Sequence, residues 1–370
     1  MKKKKLCLLI STMGPGGMQK AMSVLAGYFA GRQDVETHLV LYGISHEVFF
    51  KLPENIKLHT PEFVFDNKLR FLSTIKTLLF LRRKIRELNP ATVLSYGEYW
   101  NSFVLISLFG LKVPVYVSDR CQPDKSLGTL HNFLRKVLYP KAAGIITQTS
   151  QAKDIYSGLV SNPNITVIGN PIQPLTFVKD FREREKIVLT VGRLIASKHH
   201  DMLIDIFLSI HQPEWKLVIV GGDISYANRQ KELQQKIDAL NAGDRVILAG
   251  NVSNVRDYYL NSRIFAFTSS SEGFPNVIGE AMAAGLPIVA FDCIAGPSDM
   301  IEDGKNGFLI PLFDKQVFAE KLSVIMSDES LQLSMGKASE ELIRKFVPDQ
   351  IGLKYHTVLF SKDSDKDRSN

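Results

Sequence analysis

Four charged residues in the second half of the chain have the types and spacing to grip a phosphorylated ligand. Val191-Gly192-Arg193-Leu194 followed by Ser197-Lys198 sets an arginine and a lysine five residues apart. Two such cations at the edge of a sheet can clamp both phosphates of a diphosphate, or can simply be solvated surface charges. Further on, Ser269-Ser270-Ser271-Glu272-Gly273-Phe274-Pro275-Asn276-Val277 runs towards Glu280-Ala281-Met282-Ala283-Ala284-Gly285. Glu272 in a loop and Glu280 two turns along a helix are too far apart to share one proton, so they are not an acid/base dyad. They read as two acceptors holding hydroxyls at different points of one ligand. The amino end of that helix, at Asn276-Val277-Ile278, is expected to offer unpaired N–H groups to the same ligand.

A second anion-seeking feature lies near the start. Gly14-Pro15-Gly16-Gly17-Met18 is a glycine-rich turn opening a helix, whose free amides suit an anion, although such turns also serve packing alone. Gln19 stands where a dinucleotide fingerprint needs its third glycine, and no Gly-Lys-Ser/Thr closes the turn as in an ATPase phosphate loop. The neighbouring His199 and His200 point about 100° apart on a helix, which suits a helix start better than a metal. Cys7, Cys121 and Cys293 follow neither a disulfide nor a zinc spacing and read as packing residues in a reducing compartment. Asp363-Ser364-Asp365 has no strand before it and sits in a tail expected to be disordered, so no metal site is expected there.

The frame that positions these groups shows in the alternation of short apolar runs with amphipathic segments, the mark of βαβ units and parallel sheets. Strands are expected at Lys5–Ser11, Glu36–Tyr42, Thr92–Ser95, Val113–Ser118 and Gly144–Thr147, and the pattern restarts at Ile187–Val191, Lys216–Val220 and Ile264–Phe267. Asn170-Pro171-Ile172-Gln173-Pro174 marks the seam, because two prolines hold the chain extended. The fold class expected is α/β: two doubly wound Rossmann-like domains facing a cleft, residues 1–172 and 173–347. A helical segment at 348–362 crosses back, and 363–370 form the tail.

At 370 residues, with 45% hydrophobic and 22% charged residues, the chain is too apolar for disorder and too polar for a polytopic membrane protein. The apolar run after the basic start is cut short by Ser11-Thr12-Met13-Gly14-Pro15, and Phe103–Val117 is interrupted by Gly110, Lys112 and Pro114. Neither a signal peptide nor a spanning helix is expected. Charge is uneven: residues 1–175 hold 22 Lys/Arg against 11 Asp/Glu, the remainder 23 against 27. The positive share concentrates in Lys68, Arg70, Lys76, Arg82, Arg83, Lys84 and Arg86, on a helix that also carries Phe71, Leu72, Ile75 and Leu79. Such a helix suits an anionic membrane surface, a partner groove or a solvated face, and no nucleic-acid motif accompanies it.

The segment from Glu272 to Pro287, with Glu272 and Glu280 separated by seven residues, resembles the signature of the retaining family-4 glycosyltransferases of GT-B fold, of the bacterial surface-polysaccharide type. Val191-Gly192-Arg193-Leu194 with Lys198, Asn170-Pro171, and Gly304-Lys305-Asn306-Gly307-Phe308 match that family in order and spacing. The resemblance implies that Arg193 and Lys198 hold the donor diphosphate, Glu280 the nucleotide ribose and Glu272 a donor-sugar hydroxyl. It also gives the backbone of Gly273, Phe274, Pro275, Asn276 and Val277 to the sugar and phosphate, with Gly16 and Gly17 completing the donor site. Where many relatives have a histidine this chain reads Ser118-Asp119-Arg120-Cys121, so Asp119 and Arg120 are candidate acceptor contacts. The implied activity is transfer of a hexose or N-acetylhexosamine from a UDP-sugar to a lipid-linked or polysaccharide acceptor, with retention, no cofactor and no metal. The implied place is cytoplasmic, peripheral on the inner face of the membrane, with the Arg82–Arg86 cluster against anionic headgroups. A nucleotide-sugar epimerase of similar build and a non-catalytic partner subunit are the alternatives.

Overall fold

The computed structural model describes residues 3–175, 180–223 and 228–361. The chain divides into two compact units, the first formed by residues up to Pro171 together with the C-terminal segment from Pro348, the second by Ile172–Val347. The expected tail, with Asp363 and Asp365, lies outside the described residues.

In the first unit the order is β1 (Lys4–Ile10), α1 (Gly17–Ala30), β2 (Val35–Leu41), β3 (Lys57–His59), α2 (Arg70–Leu88), β4 (Thr92–Tyr96) and α3 (Asn101–Ser107). It continues through β5 (Val115–Ser118), α4 (Thr129–Leu138), β6 (Gly144–Thr147), α5 (Ser150–Leu159) and β7 (Ile165–Val167). The sheet is parallel with strand order β3-β2-β1-β4-β5-β6-β7. Strands β1 and β4 are almost wholly buried, as expected of a sheet covered on both faces. Because parallel crossovers are right-handed, reversing direction after β3 puts α2, α3, α4 and α5 on the opposite face from α1. The core beneath them joins Leu9, Val40, Phe80, Leu81, Val93, Val104 and Val117.

The second unit runs β8 (Ile187–Val191), α6 (His200–Leu208), β9 (Lys216–Val220), α7 (Arg229–Ala239), β10 (Val246–Gly250), α8 (Val255–Asn261) and β11 (Ile264–Phe267). Then follow α9 (Asn276–Ala283), β12 (Ile288–Phe291), α10 (Pro297–Met300), β13 (Gly307–Ile310), α11 (Lys315–Ser327) and α12 (Glu329–Leu342). Its parallel sheet has the order β10-β9-β8-β11-β12-β13, the same winding as the first. Asp314 and Asp328 start α11 and α12 by accepting the amides of Val317 (3.0 Å) and Leu331 (2.9 Å), the usual N-cap geometry.

Helix α12 is absent from the sequence expectation. Its buried face is Gln332, Met335, Gly336 and Ser339, three of the four small or polar, so the apolar stripe of Leu331, Met335 and Leu342 is sparse. Gly336 is required by a close approach: a Cβ there would sit 2.3 Å from the carbonyl oxygen of Gly285. The last helix, α13 (Pro348–Phe360), belongs to the first unit, where it packs on α1 and β4. Tyr355 of α13 is wholly buried, and its hydroxyl lies 2.9 Å from that of Tyr96. Among the described residues no helix is long and apolar enough to cross a membrane.

Candidate functional site

In each doubly wound sheet the loops following the two strands that flank the reversal of strand order enclose a crevice. In the second unit those strands are β8 and β11, and their loops carry Lys198 and Glu272. The loop after β8 first continues the sheet pairing: the amides of Gly192 and Leu194 donate to Val220 and Gly222 carbonyls at 2.9 and 3.0 Å. Arg193, between them, is exposed, and its side chain has no hydrogen bond or ion pair among the described residues.

A short 3-10 turn, Ala196–Lys198, is then bolted to the loop after β11. The Ser270 amide and the Ser269 hydroxyl donate to the Ser197 carbonyl at 2.9 and 3.2 Å, and the Thr268 hydroxyl donates to the Lys198 carbonyl at 2.8 Å. His199 Nε2 lies 2.8 Å from the Ser270 hydroxyl, with His199 itself in the left-handed region at φ 50°. That histidine is thus a cap and a strut, and His200 is the first residue of α6. These bonds fix the two loops to each other, and the Lys198 ammonium pairs directly with the Glu272 carboxylate. Both side chains are only about one-sixth exposed, at 16% and 14%. The ammonium also lies 5.5 Å from the centroid of the buried Phe267 ring. Burial, and next to it the Glu272 charge, push the Cys293 thiol up to about 12, so this cysteine beside the site is not a nucleophile.

The segment leading to α9 is held by packing. Phe274 is buried and meets Phe346 with ring centroids 5.6 Å apart, and Pro275 precedes the first helical residue. Gly296, at φ 137°, lies so close that a Cβ on it would fall 2.2 Å from Pro275 Cδ. The expectation of three open amides on α9 is corrected: those of Asn276 and Ile278 donate to the Phe274 and Pro275 carbonyls, each at 2.9 Å. A tight turn before the helix has folded its own carbonyls back onto them. On the next turn of α9, Glu280 accepts a hydrogen bond of 3.0 Å from the hydroxyl of Tyr259 on α8. Tyr259 is buried, and burial first, Glu280 second, raise its hydroxyl well above the ordinary range, so it remains a donor. Tyr259 went unnoticed in the sequence because nothing local ties α8 to α9.

The candidates of the first unit are held by contacts within that unit. Gly16 and Gly17 open α1, where no acidic side chain occupies the first turn. The Gln19 side chain folds back over Gly16. Asp119 is not an acceptor contact: it points into the core. Its carboxylate accepts from Asn101 Nδ2 (2.7 Å), the Tyr139 hydroxyl (2.5 Å) and the Tyr156 hydroxyl, with Arg135 Nη1 at 3.7 Å. Asp119 and Arg135 are 7% and 6% exposed, which makes them an interior pair. Arg120 is half-buried, stacked 3.5 Å above the Tyr96 ring, and donates to Asn170 Oδ1 (2.6 Å) and the Tyr355 hydroxyl (2.8 Å). It ties α13 to the end of β4, a structural duty that occupies both terminal nitrogens. Among the described residues no group of three or more His, Cys, Asp or Glu side chains is placed to hold a metal.

What the second unit can do chemically is bind an anion and hydroxyls together, with the Arg193 guanidinium, which has no partner among the described residues, an ammonium held by a carboxylate, and a second carboxylate held by a tyrosine. Residues 172–342, nearly all of this unit, match the family described as Glycosyl transferases group 1. Over 368 residues the chain is 25% identical to the amylovoran biosynthesis glycosyltransferase AmsD of Erwinia amylovora, covering 96% of this chain and 99% of that one. It is 25% identical over 350 residues to the GalNAc-alpha-(1->4)-GalNAc-alpha-(1->3)-diNAcBac-PP-undecaprenol alpha-1,4-N-acetyl-D-galactosaminyltransferase of Campylobacter jejuni, covering 92% and 94%. Among solved structures, HepE of Anabaena in complex with UDP superposes with a TM-score of 0.80 at 19% identity, covering 97% of this chain and 100% of that one. The fold is therefore GT-B, two Rossmann-like domains on parallel sheets.

Proposed function

We propose that this chain, whose second unit is a group 1 glycosyltransferase domain, moves a hexose or N-acetylhexosamine from a UDP-sugar to a lipid-linked or polysaccharide acceptor in cell-surface glycan assembly, with retention of configuration. The observation that carries the reading is the Lys198–Glu272 pair fixed at the reversal point of the second sheet, with the exposed Arg193 on the same loop as Lys198. The full-length relatives named for glycosyl transfer in polysaccharide and undecaprenol-linked glycan synthesis support the acceptor class, and HepE with UDP the donor.

The division of labour follows from charge. As the sugar leaves, negative charge grows on the nucleoside diphosphate, so Arg193 and Lys198 stabilise the transition state more than the ground state. Lys198 has three N–H donors and can keep Glu272 while reaching a phosphate. Glu272, fixed in position by that bond, directs its other oxygen to a sugar hydroxyl. Glu280, braced by Tyr259, accepts from the ribose. With both cations supplied by the protein, the reading requires no divalent ion, and chelation leaves the rate unchanged.

The test has two parts. UDP at about a hundred times its dissociation constant adds about 2.7 kcal/mol, a shift of several degrees in the melting temperature, and Glu280→Ala removes most of it. Lys198→Ala and Glu272→Ala each lower transfer from UDP-sugar to a lipid-linked acceptor by about 10²- to 10³-fold while the melting temperature of the free protein holds. Wild-type protein that no nucleotide stabilises, or variants that transfer at the wild-type rate, would overturn the assignment. A new UDP-sugar formed without acceptor would replace it by an epimerase.

A further inference from the structure

In the first unit, helix α4 carries an exposed apolar stripe as well as the inward face that brings Leu138 to the core. Its residues Leu130, Phe133 and Val137 fall at i, i+3 and i+7, the spacing of a stripe that an ordinary amphipathic helix buries. Here Leu130 and Phe133 are 65% and 61% exposed and Val137 is exposed as well, while the buried residue is Arg135, drawn inward by Asp119 and Tyr156. Helices α2, α3 and α4 lie side by side on one face of the sheet, with α3 in contact with both neighbours. Their outer surfaces add Phe71 and Leu79 on α2 and Phe109 just past α3, at 76%, 61% and 64% exposure. Arranged on one layer, these side chains exceed the scattered apolar residues of an ordinary surface.

The charges on the same layer are mostly positive. Helices α2, α3 and α4 hold eight Lys or Arg and one acidic residue, Glu87. The structure also corrects which cations face outward. Arg82 turns to the carbonyls of Ser107 (3.0 Å) and Phe109 (2.7 Å), where it pins the end of α3, and Arg83 and Lys84 share Glu87. Arg70, Lys76, Arg86 and Lys136 are exposed and have no ion pair among the described residues. The Arg82–Arg86 cluster is therefore not the centre of the contact that the sequence suggests.

We propose that the α2–α3–α4 face docks on an anionic bilayer, with Leu130 and Phe133 of α4 inserted at the headgroup–acyl boundary and Arg70, Lys76, Arg86 and Lys136 set against lipid phosphates. Aliphatic and aromatic tips bordered by unpaired cations match a lipid interface, which offers acyl chains directly beneath negative charge. A nucleic acid offers no partner for Leu130 or Val137. The proposal agrees with a lipid-linked acceptor, but its test uses no transfer reaction, so the two readings fail separately.

The full chain is sedimented with vesicles of phosphatidylcholine, with and without phosphatidylglycerol. The wild type pellets with the anionic vesicles, and added salt weakens the binding. The double variant Leu130→Ser, Phe133→Ser loses at least about tenfold in vesicle affinity and keeps its melting temperature and UDP response, because both side chains are already in water. The double variant Arg70→Glu, Lys136→Glu loses the preference for phosphatidylglycerol. Wild-type protein left in the supernatant, or variants that bind like the wild type, would overturn the proposal. So would light scattering that shows a wild-type dimer reduced to a monomer by the serine variant, since a second copy would then cover the face.

Discussion

Both units reverse their strand order in the same way, between β1 and β4 in the first and between β8 and β11 in the second, yet the two units use the ionic groups after their strands differently. The second carries its ionic groups outward, with Arg193 exposed and the Lys198–Glu272 pair partly open. The first unit has a glycine turn after β1 and Gly97-Glu98 after β4, while a buried ion pair, Asp119 with Arg135, lies sealed in the core after β5, one strand beyond its reversal point. One winding thus supports two uses of charge. Where the pair reaches solvent it can exchange part of its bonding with a ligand; where it is buried it sets the positions of Tyr139, Tyr156 and α4. The contrast teaches that a carboxylate after a strand end is a site candidate only when its partner side chains leave an oxygen accessible.

The largest expected effect tests the buried half of that contrast. Asp119→Ala strands Arg135 and three hydrogen-bond donors in the interior and lowers stability by about 3–5 kcal/mol in denaturant unfolding. UDP affinity of the protein that remains folded is unchanged. If instead the variant is stable and transfer is lost, the contrast is broken and Asp119 belongs to the chemistry.

A smaller effect comes from the histidine beneath Lys198. Burial first, and the Lys198 charge next, lower His200 from 6.5 to about 4. Between those values the unfolded chain takes up a proton that the folded chain refuses, so stability rises with pH from about 4 to 6.5 and is level outside that window. The full span is worth up to about 3 kcal/mol. Melting temperatures measured across that range should show His200→Gln with a shallower pH dependence than the wild type. Equal slopes would mean that the ring is not held neutral.

The smallest effect sharpens the open half. Tyr259→Phe removes one hydrogen bond to Glu280 and costs about 1 kcal/mol of UDP binding, roughly fivefold in affinity, with kcat unchanged. A fall in kcat at constant affinity would place Tyr259 nearer the reacting atoms than the ribose.

Most of the frame was legible. The eight strands expected from the sequence fall within two residues of their expected bounds, because each centres on a short apolar run closed by turn residues. The exception among the longer helices, α12, buries Gln332, Gly336 and Ser339 beside Met335, and a helix whose inner face is mostly small or polar gives only a sparse periodic signal. At the site, Lys198 and Glu272 were both identified as candidates, but not their pairing, which links residues 74 positions apart. The burial of Asp119 is not legible in the sequence, since the four groups that claim it come from three separate segments, α3, the end of α4 with Tyr139, and α5.

The sequence alone determined the alternation of strand and helix, the seam at Pro171, the basic first half and the charged residue types available after β8 and β11. Only the tertiary structure decided which of those charges meet and which face the solvent. Local spacing sets a helix's stripe or a strand's alternation, whereas the side that turns inward depends on what the rest of the fold brings against it. In α4, Arg135 is buried against Asp119 and Tyr156 while Leu130 and Phe133 stay exposed, an arrangement that hydropathy by itself does not give.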